Sequence, residues 1–247
     1  MAHWPLPVLA AAVILIGAAV APAAAATLAG GAGYDIQAGP GGDTWSAPLG
    51  FAVVTGGRGD ATASLSRFHS NDIGSGWSGL VNAGLLFGPH VGARAIGVRS
   101  VGDGDYRAWR LQAGPIFQID SERSVDIYVA RFEDSNDARL DQLGAEANFP
   151  LGASVSGLVG GAVGDRKDGA TSAQATGGIT WSAWKHLLLF SQGTFGKNIA
   201  ATSATSGSAG SGGPLGSGPR GHMARTTEST GSPFQGMVLA GIRIVVP

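Results

Sequence analysis

The residues from Arg67 to Asp72 are the part of the chain best placed for covalent chemistry, because they set a histidine beside a hydroxyl group. An imidazole can take the proton of a serine hydroxyl and so activate it as a nucleophile toward an ester. We therefore take His69, Ser70 and Asn71 as candidate catalytic residues. Adjacent strand residues point to opposite faces, so this chemistry needs a turn that reorients Ser70 or a serine on a neighbouring strand.

Other motifs predict no cofactor. Two G-x-G-x-x-G matches lie in loops without a following helix and follow from the abundance of glycine, of which the chain has 42. They are Gly74-Gly76-Gly79 and Gly216-Gly218-Gly221. His69, His90, His186 and His222 show no metal-ligand spacing.

Acidic residues recur in the polar connecting segments. Asp103, Asp105, Asp134 and Asp137 are candidate ligands for a divalent cation that bridges anionic lipopolysaccharide at an outer rim. The alternative is that they only form turns and keep loops solvated.

The elements that must position these residues follow an export signal. Residues 1–26 carry an apolar stretch that ends in small residues suited to cleavage, and the stretch is shorter than the about 20 residues of a spanning helix. The chain has no cysteine, which excludes disulfides and a lipid-modified cysteine. A net charge of -1 and the lack of a basic patch exclude a nucleic-acid partner.

Residues 27–247 read as about 12 strands, with 10 or 14 as alternatives, and no later run is long enough for a spanning helix. The predicted strands are 28–39, 48–56, 62–69, 79–88, 91–100, 108–119, 124–132, 138–149, 153–163, 171–183, 186–197 and 234–246. Every second connection is tight, whereas the others are longer and polar. This alternation is typical of an antiparallel barrel with short periplasmic turns and external loops.

Within the strands, apolar and polar residues alternate with a period of 2. We expect the apolar face, including Trp109, Leu111 and Phe117, to face lipid. We expect a girdle of aromatic residues near strand ends, namely Trp77, Trp109, Trp181, Trp184, Phe117, Phe149 and Phe190. The polar, glycine-rich face would line the lumen with Arg94, Arg110, Gln112, Gln142, Glu146, Gln192 and Arg243. Opposed charges there either plug the lumen or set a field that selects solutes.

On these patterns the chain resembles small bacterial outer-membrane β-barrel proteins, and its last strand resembles theirs although it ends in Val246-Pro247. The resemblance implies the outer membrane of a Gram-negative bacterium, reached through the periplasm. It also implies membrane lipids, lipopolysaccharide and the barrel-insertion machinery as partners. The His69 segment is similar to the H-x-S-N motif of outer-membrane phospholipases and lipid A deacylases, in which histidine and serine are two residues apart.

The sequence thus predicts one all-β transmembrane barrel with a Gly/Ser-rich external loop at about 199–233. That loop is either a tether or a constriction in the lumen. The leading functional hypothesis is a narrow pore or export conduit for small polar solutes or glycans. The alternatives are a lipid hydrolase centred on His69 and a plugged structural or surface-interaction barrel.

Overall fold

A computed structural model describes residues 27–38, 44–56, 59–70, 74–184, 187–197 and 234–246, and side chains at 59–69, 74–184, 187–197, 240–242 and 244. The predicted signal at 1–26 and the whole loop at 199–233 lie outside the described residues. These described ranges contain twelve strands: β1 (Thr27–Ala38), β2 (Thr44–Gly56), β3 (Gly59–Ser70), β4 (Gly74–Leu86), β5 (Val91–Gly102), β6 (Arg107–Gln118), β7 (Ser124–Asp134), β8 (Arg139–Gly152), β9 (Val155–Arg166), β10 (Thr171–Trp184), β11 (Leu187–Lys197) and β12 (Phe234–Val246).

Each strand pairs antiparallel with its neighbours in the chain, and β1 pairs with β12, so the sheet is a closed barrel. Closure removes the unpaired edges that would otherwise expose backbone groups to lipid. The strands are 11 to 14 residues long, enough for a tilted strand to cross a bilayer. The predicted antiparallel barrel is confirmed. No helix within the described ranges is long and apolar enough to span a membrane.

The connections at the two ends of the barrel differ less in length than the sequence predicted. Connections at what we call the turn end are 57–58, 87–90, 119–123, 153–154 and 185–186. Those at the opposite, loop end are 39–43, 71–73, 103–106, 135–138, 167–170 and 198–233. Apart from 198–233, both sets are two to five residues long, because the strands continue into segments predicted as loops. In particular, β4 begins at Gly74, five residues before its predicted start at 79.

The two faces of the wall alternate as predicted. Outward residues include exposed apolar side chains such as Leu111 (59% exposed) and Val129 (60%). A water-soluble protein buries such side chains, so this outer surface is suited to lipid. Inward neighbours such as Gln112 and Ala130 are buried.

The prediction of an aromatic girdle is wrong for one residue. Phe190 pairs with Thr180, lies on the inner face with Gln192 and is 5% exposed. It shares the parity of the polar residues Gln192 and Thr194, so a position near a strand end does not put its ring in lipid. Outward aromatic rings do lie near strand ends at Trp77, Phe117, Trp181 and Trp184.

Candidate functional site in the barrel interior

The inner wall collects most of the polar residues that the sequence assigned to the lumen. Six of them are buried on the inner face, on β5, β6, β8 and β11: Arg94, Arg110, Gln112, Gln142, Glu146 and Gln192. Arg243 lies in β12 opposite Leu188, and its side chain is outside the described residues. Residues far apart in sequence thus share one interior because strand register brings them together.

An ion triad forms the charged layer nearest the turn end. Arg94 Nη1 donates a hydrogen bond of 2.6 Å to Asp126 Oδ2, and Arg94 Nη2 lies 3.5 Å from Asp60 Oδ1. The three side chains are 7%, 6% and 15% exposed, in the order Arg94, Asp126, Asp60. Gly84 makes room for the triad, because a Cβ there would lie 3.0 Å from the Asp60 carboxylate. One guanidinium therefore holds two buried carboxylates together.

A second polar layer surrounds Arg110 near the middle of the wall. Arg110 Nη2 donates to Gln112 Oε1 at 3.0 Å, and the guanidinium lies within electrostatic reach of Tyr128 and Glu146. Because Arg110 and Glu146 carry opposite charges and are both buried, their attraction is screened less than it would be in water.

Inward glycines accommodate the long side chains of adjacent strands. A Cβ at Gly160 would lie 2.6 Å from Glu146 Cγ, and one at Gly164 would lie 2.9 Å from Gln142 Cγ. The Tyr128 ring lies over Gly144 in the same way. Part of the high glycine content therefore serves lumen packing, since any larger residue would displace these polar side chains.

The sequence did not predict the apolar core inside the barrel. A buried cluster lines the wall from β3 to β8 toward the loop end, and it comprises Phe68, Leu80, Ile96, Val98, Tyr106, Ala108, Phe132 and Leu140. Phe68 and Phe132 occupy positions of the mostly polar inward face. Their alternation with outward residues could have identified these rings as inward-facing. The sequence interpretation missed them because it assumed that the lumen is polar throughout.

The candidate catalytic histidine lies on the outer wall. His69 pairs with Ser75 of β4, and its Nδ1 is 3.0 Å from Ser75 Oγ. Asp103 Oδ2 accepts a hydrogen bond of 2.9 Å from the Ser75 backbone N–H. The Ser70 side chain and Asn71 lie outside the described residues. The register of β3 and β4 thus supplies a serine from a neighbouring strand, which the sequence left open without naming Ser75.

The four candidate cation ligands do not converge. Asp103 binds the Ser75 amide, and Asp134 Oδ1 accepts hydrogen bonds from the Asn136 and Ala138 amides. Asp137 pairs with Lys167 and has a positive φ of 67°, as does Asp105 at 63°. Within the described residues no group of three or more His, Cys, Asp or Glu side chains could hold a metal ion. These contacts fit the alternative of turn formation.

Neither a protein-family model nor a curated protein matches the sequence. Solved structures match the fold. The NanC porin matches with a TM-score of 0.56 at 6% identity, over 86% of this chain and 98% of that chain. The KdgM porin, solved in complex with disordered oligogalacturonate, matches with a TM-score of 0.54 at 8% identity, over 87% of this chain and 98% of that chain. The chain therefore has the fold of an outer-membrane β-barrel of the porin type.

Proposed function

We propose that the barrel is a narrow outer-membrane pore for small polar solutes or glycans. The observation that carries this proposal is the inner wall, where hydroxyl, amide and charged side chains are contributed by β3 to β8, β10 and β11. Such groups can replace water around a polar solute as it passes. Twelve strands lie between the eight that side chains fill and the sixteen that leave an aqueous channel, which suits a narrow lumen.

Differences in burial around the wall suggest where the path runs. Inward residues of β6 and β7, such as Gln112 and Asp126, are buried. On β10 the burial is mixed: Ser172 and Thr176 are buried, whereas Gln174 and Thr180 are half-buried. On β9 it is mixed in the same way, with Ala162 buried and Gly160 half-buried. We therefore place the path along β9 and β10, beside the packed half formed by β3 to β8.

The charges of the inner wall favour neutral solutes. Among the residues whose side chains are described, the inward arginines are Arg94, Arg110 and Arg166. Each has a carboxylate within reach: Asp60 and Asp126 for Arg94, Glu146 for Arg110, and Asp168 for Arg166. An acidic glycan would have to displace these carboxylates to reach a guanidinium. The related fold of KdgM, solved with oligogalacturonate, supports the choice of a glycan, and the charge balance here favours a neutral one.

The test is single-channel recording on protein purified from outer membranes after expression of the full chain. We expect discrete conductance steps, and faster vesicle uptake of neutral oligosaccharides than of oligogalacturonate. Gln174→Trp should lower the unit conductance because a large ring would fill the inner side of β10. Ala175→Trp is the matched control, since Ala175 is the next residue and lies on the exposed outer face. Silence from correctly inserted protein would reject the pore and favour the plugged barrel.

A second function has a specific observation in its favour. The 3.0 Å contact of His69 Nδ1 with Ser75 Oγ is a base beside a nucleophile on the lipid-facing wall. We propose as the alternative that Ser75 Oγ attacks a lipid ester carbonyl while His69 takes its proton. His69 would then return that proton to the departing alkoxide, and water would hydrolyse the acyl-serine.

This alternative is tested by hydrolysis of an acyl ester in detergent micelles. Ser75→Ala and His69→Ala should each abolish release of fatty acid and leave conductance unchanged. Ser78→Ala is the control, because Ser78 lies on β4 but faces inward, where its hydroxyl contacts Ser100 at 3.0 Å. Hydrolysis that survives in Ser75→Ala would exclude the idea.

A further inference from the structure

The strand β10 carries no charged residue along its whole length. Its inward positions hold only hydroxyl-bearing, amide or glycine residues: Ser172, Gln174, Thr176, Gly178, Thr180 and Ser182. Inward residues recur along a strand about every 6.6 Å, so these six extend over about 33 Å between the loop end and the turn end. We call these six residues the β10 polar row. A ligand that uses the whole row must offer hydrogen-bonding groups along a comparable length.

Inward charges approach the row from the neighbouring strands, and those with described side chains are balanced. Glu146 of β8 lies over β9 beside the middle of the row, within electrostatic reach of Arg110. Arg166 of β9 lies at the loop end, 3.1 Å from Asp168. On the other side, β11 contributes no inward charged residue. The row therefore offers polar groups without a net charge from the described side chains around it.

The side chains of the row can both donate and accept hydrogen bonds. A serine or threonine hydroxyl has one donor and two acceptor sites, and a glutamine amide provides both functions. Gln174 and Thr180 are half-buried, so part of each side chain is accessible from the lumen. Ser172 is 1% exposed, and its Oγ has no hydrogen-bond partner among the described residues. A buried hydroxyl without a partner carries a cost in free energy, which a ligand hydroxyl would remove.

These properties define the ligand by its chemistry. A linear neutral oligosaccharide has hydroxyl groups along its length, and each of them both donates and accepts. An acidic oligosaccharide would lose water around its carboxylates, while Arg110 and Arg166 already lie beside carboxylates of the protein. A polyether chain accepts hydrogen bonds but donates none except at its ends, so it cannot satisfy the acceptors of the row.

We propose that the β10 polar row is a saturable binding site for linear neutral oligosaccharides, an inference that rests on the proposed pore function. The saccharide lies along β10, with its hydroxyl groups toward Gln174 and Thr180. The row selects its ligand because it requires donors and acceptors together and supplies no charge. Affinity should therefore rise with chain length from a monosaccharide to a hexasaccharide, since a longer chain reaches more of the row.

The test combines calorimetric titration of the full chain in detergent micelles with single-channel recording of the same preparation. The probes are a linear glucose hexasaccharide, hexagalacturonate, and polyethylene glycol of similar mass. We expect saturable binding of the glucose hexasaccharide, with brief current blockades, and much weaker binding of the other two. The variant Gln174→Leu/Thr180→Val should bind the hexasaccharide about 25-fold more weakly, because each lost hydrogen bond between neutral groups contributes about fivefold.

The matched control is Thr62→Val, which makes the same change of side chain on β3. Thr62 also faces inward and is 2% exposed, but it lies in the packed half of the barrel, so saccharide binding should be unchanged. Equal affinities of the double variant and the control would overturn the proposal.

Two comparisons in the unmodified protein need no variant to fold. Polyethylene glycol binding as tightly as the glucose hexasaccharide would show that the lumen only accommodates chains by size, and would refute the row as a binding site. Hexagalacturonate binding as tightly would reject a neutral ligand. Conductance without saccharide binding would refute the row and leave the pore standing, whereas a silent protein that binds no saccharide would reject both.

Discussion

Replacing Arg94 tests whether water is excluded from the ion triad or reaches it. Arg94→Met keeps a long side chain and leaves Asp60 and Asp126 without their shared cation. Since Arg94 and Asp126 are only 7% and 6% exposed and 2.6 Å apart, we expect a loss of about 3–5 kcal/mol in the free energy of unfolding. That range is the cost of leaving buried charges without a partner.

The two carboxylates should contribute unequally. Asp126→Asn removes the 2.6 Å charge-assisted hydrogen bond and should cost about 2 kcal/mol. Asp60→Asn should cost about 1 kcal/mol or less, because its oxygen is 3.5 Å from Arg94 and the change also removes repulsion from Asp126.

The assay is urea unfolding of the barrel in detergent micelles, followed by tryptophan fluorescence, with the midpoint and slope compared among variants. The control is Arg123→Met, which breaks an exposed pair with Asp120 at 3.4 Å and should cost less than about 1 kcal/mol. Equal midpoints for Arg94→Met and Arg123→Met would refute the reasoning, because they would show that water already screens the triad.

Four further variants test the wall. Val129→Lys, at the middle of β7 on the outer face, should lower the unfolding free energy in a bilayer by about 2–4 kcal/mol, and an unchanged value would mean that this face does not meet lipid. Gly160→Ala should destabilise the barrel by about 1–3 kcal/mol, since its Cβ would lie 2.6 Å from Glu146. Gly97→Ala, whose Cβ finds only Leu111 at 3.6 Å, should be nearly neutral, and equal effects on urea midpoints would contradict the packing argument. Phe132→Ala opens the apolar cluster and should raise the unit conductance, with an unchanged conductance arguing that the cluster does not bound the path.

The strand pattern could be predicted because most strands with described side chains keep a period of 2. On β6 the alternation of Leu111 with Gln112 assigns one residue to lipid and the next to the lumen, and the structure agrees. Local sequence was less informative about where hairpins end. The segment from Gly74 to Ser78 is rich in glycine and serine and reads as a loop, yet cross-strand hydrogen bonding extends β4 through it.

Contacts that depend on register could not be derived from one strand alone. Ser75 contacts His69 only because β3 and β4 pair across a short connection. The sequence of either strand alone does not give the register in which the two strands pair. The same holds for the triad, whose members come from β3, β5 and β7. Side-chain chemistry predicted which residues would face inward, but only the register assigns their partners.

The triad and the conduction path constrain one another. A loss of several kcal/mol in Arg94→Met would mean that the layer around Asp126 is dry, and solutes could not cross it there. Conductance in the same protein would then have to pass the half-buried inward residues of β10, such as Gln174, and Gln174→Trp should lower it. A small loss in Arg94→Met together with conductance would instead make the triad part of the path, and replacing either carboxylate should then change ion selectivity. A large loss without conductance would identify a plugged barrel, whose function must lie on its outer wall.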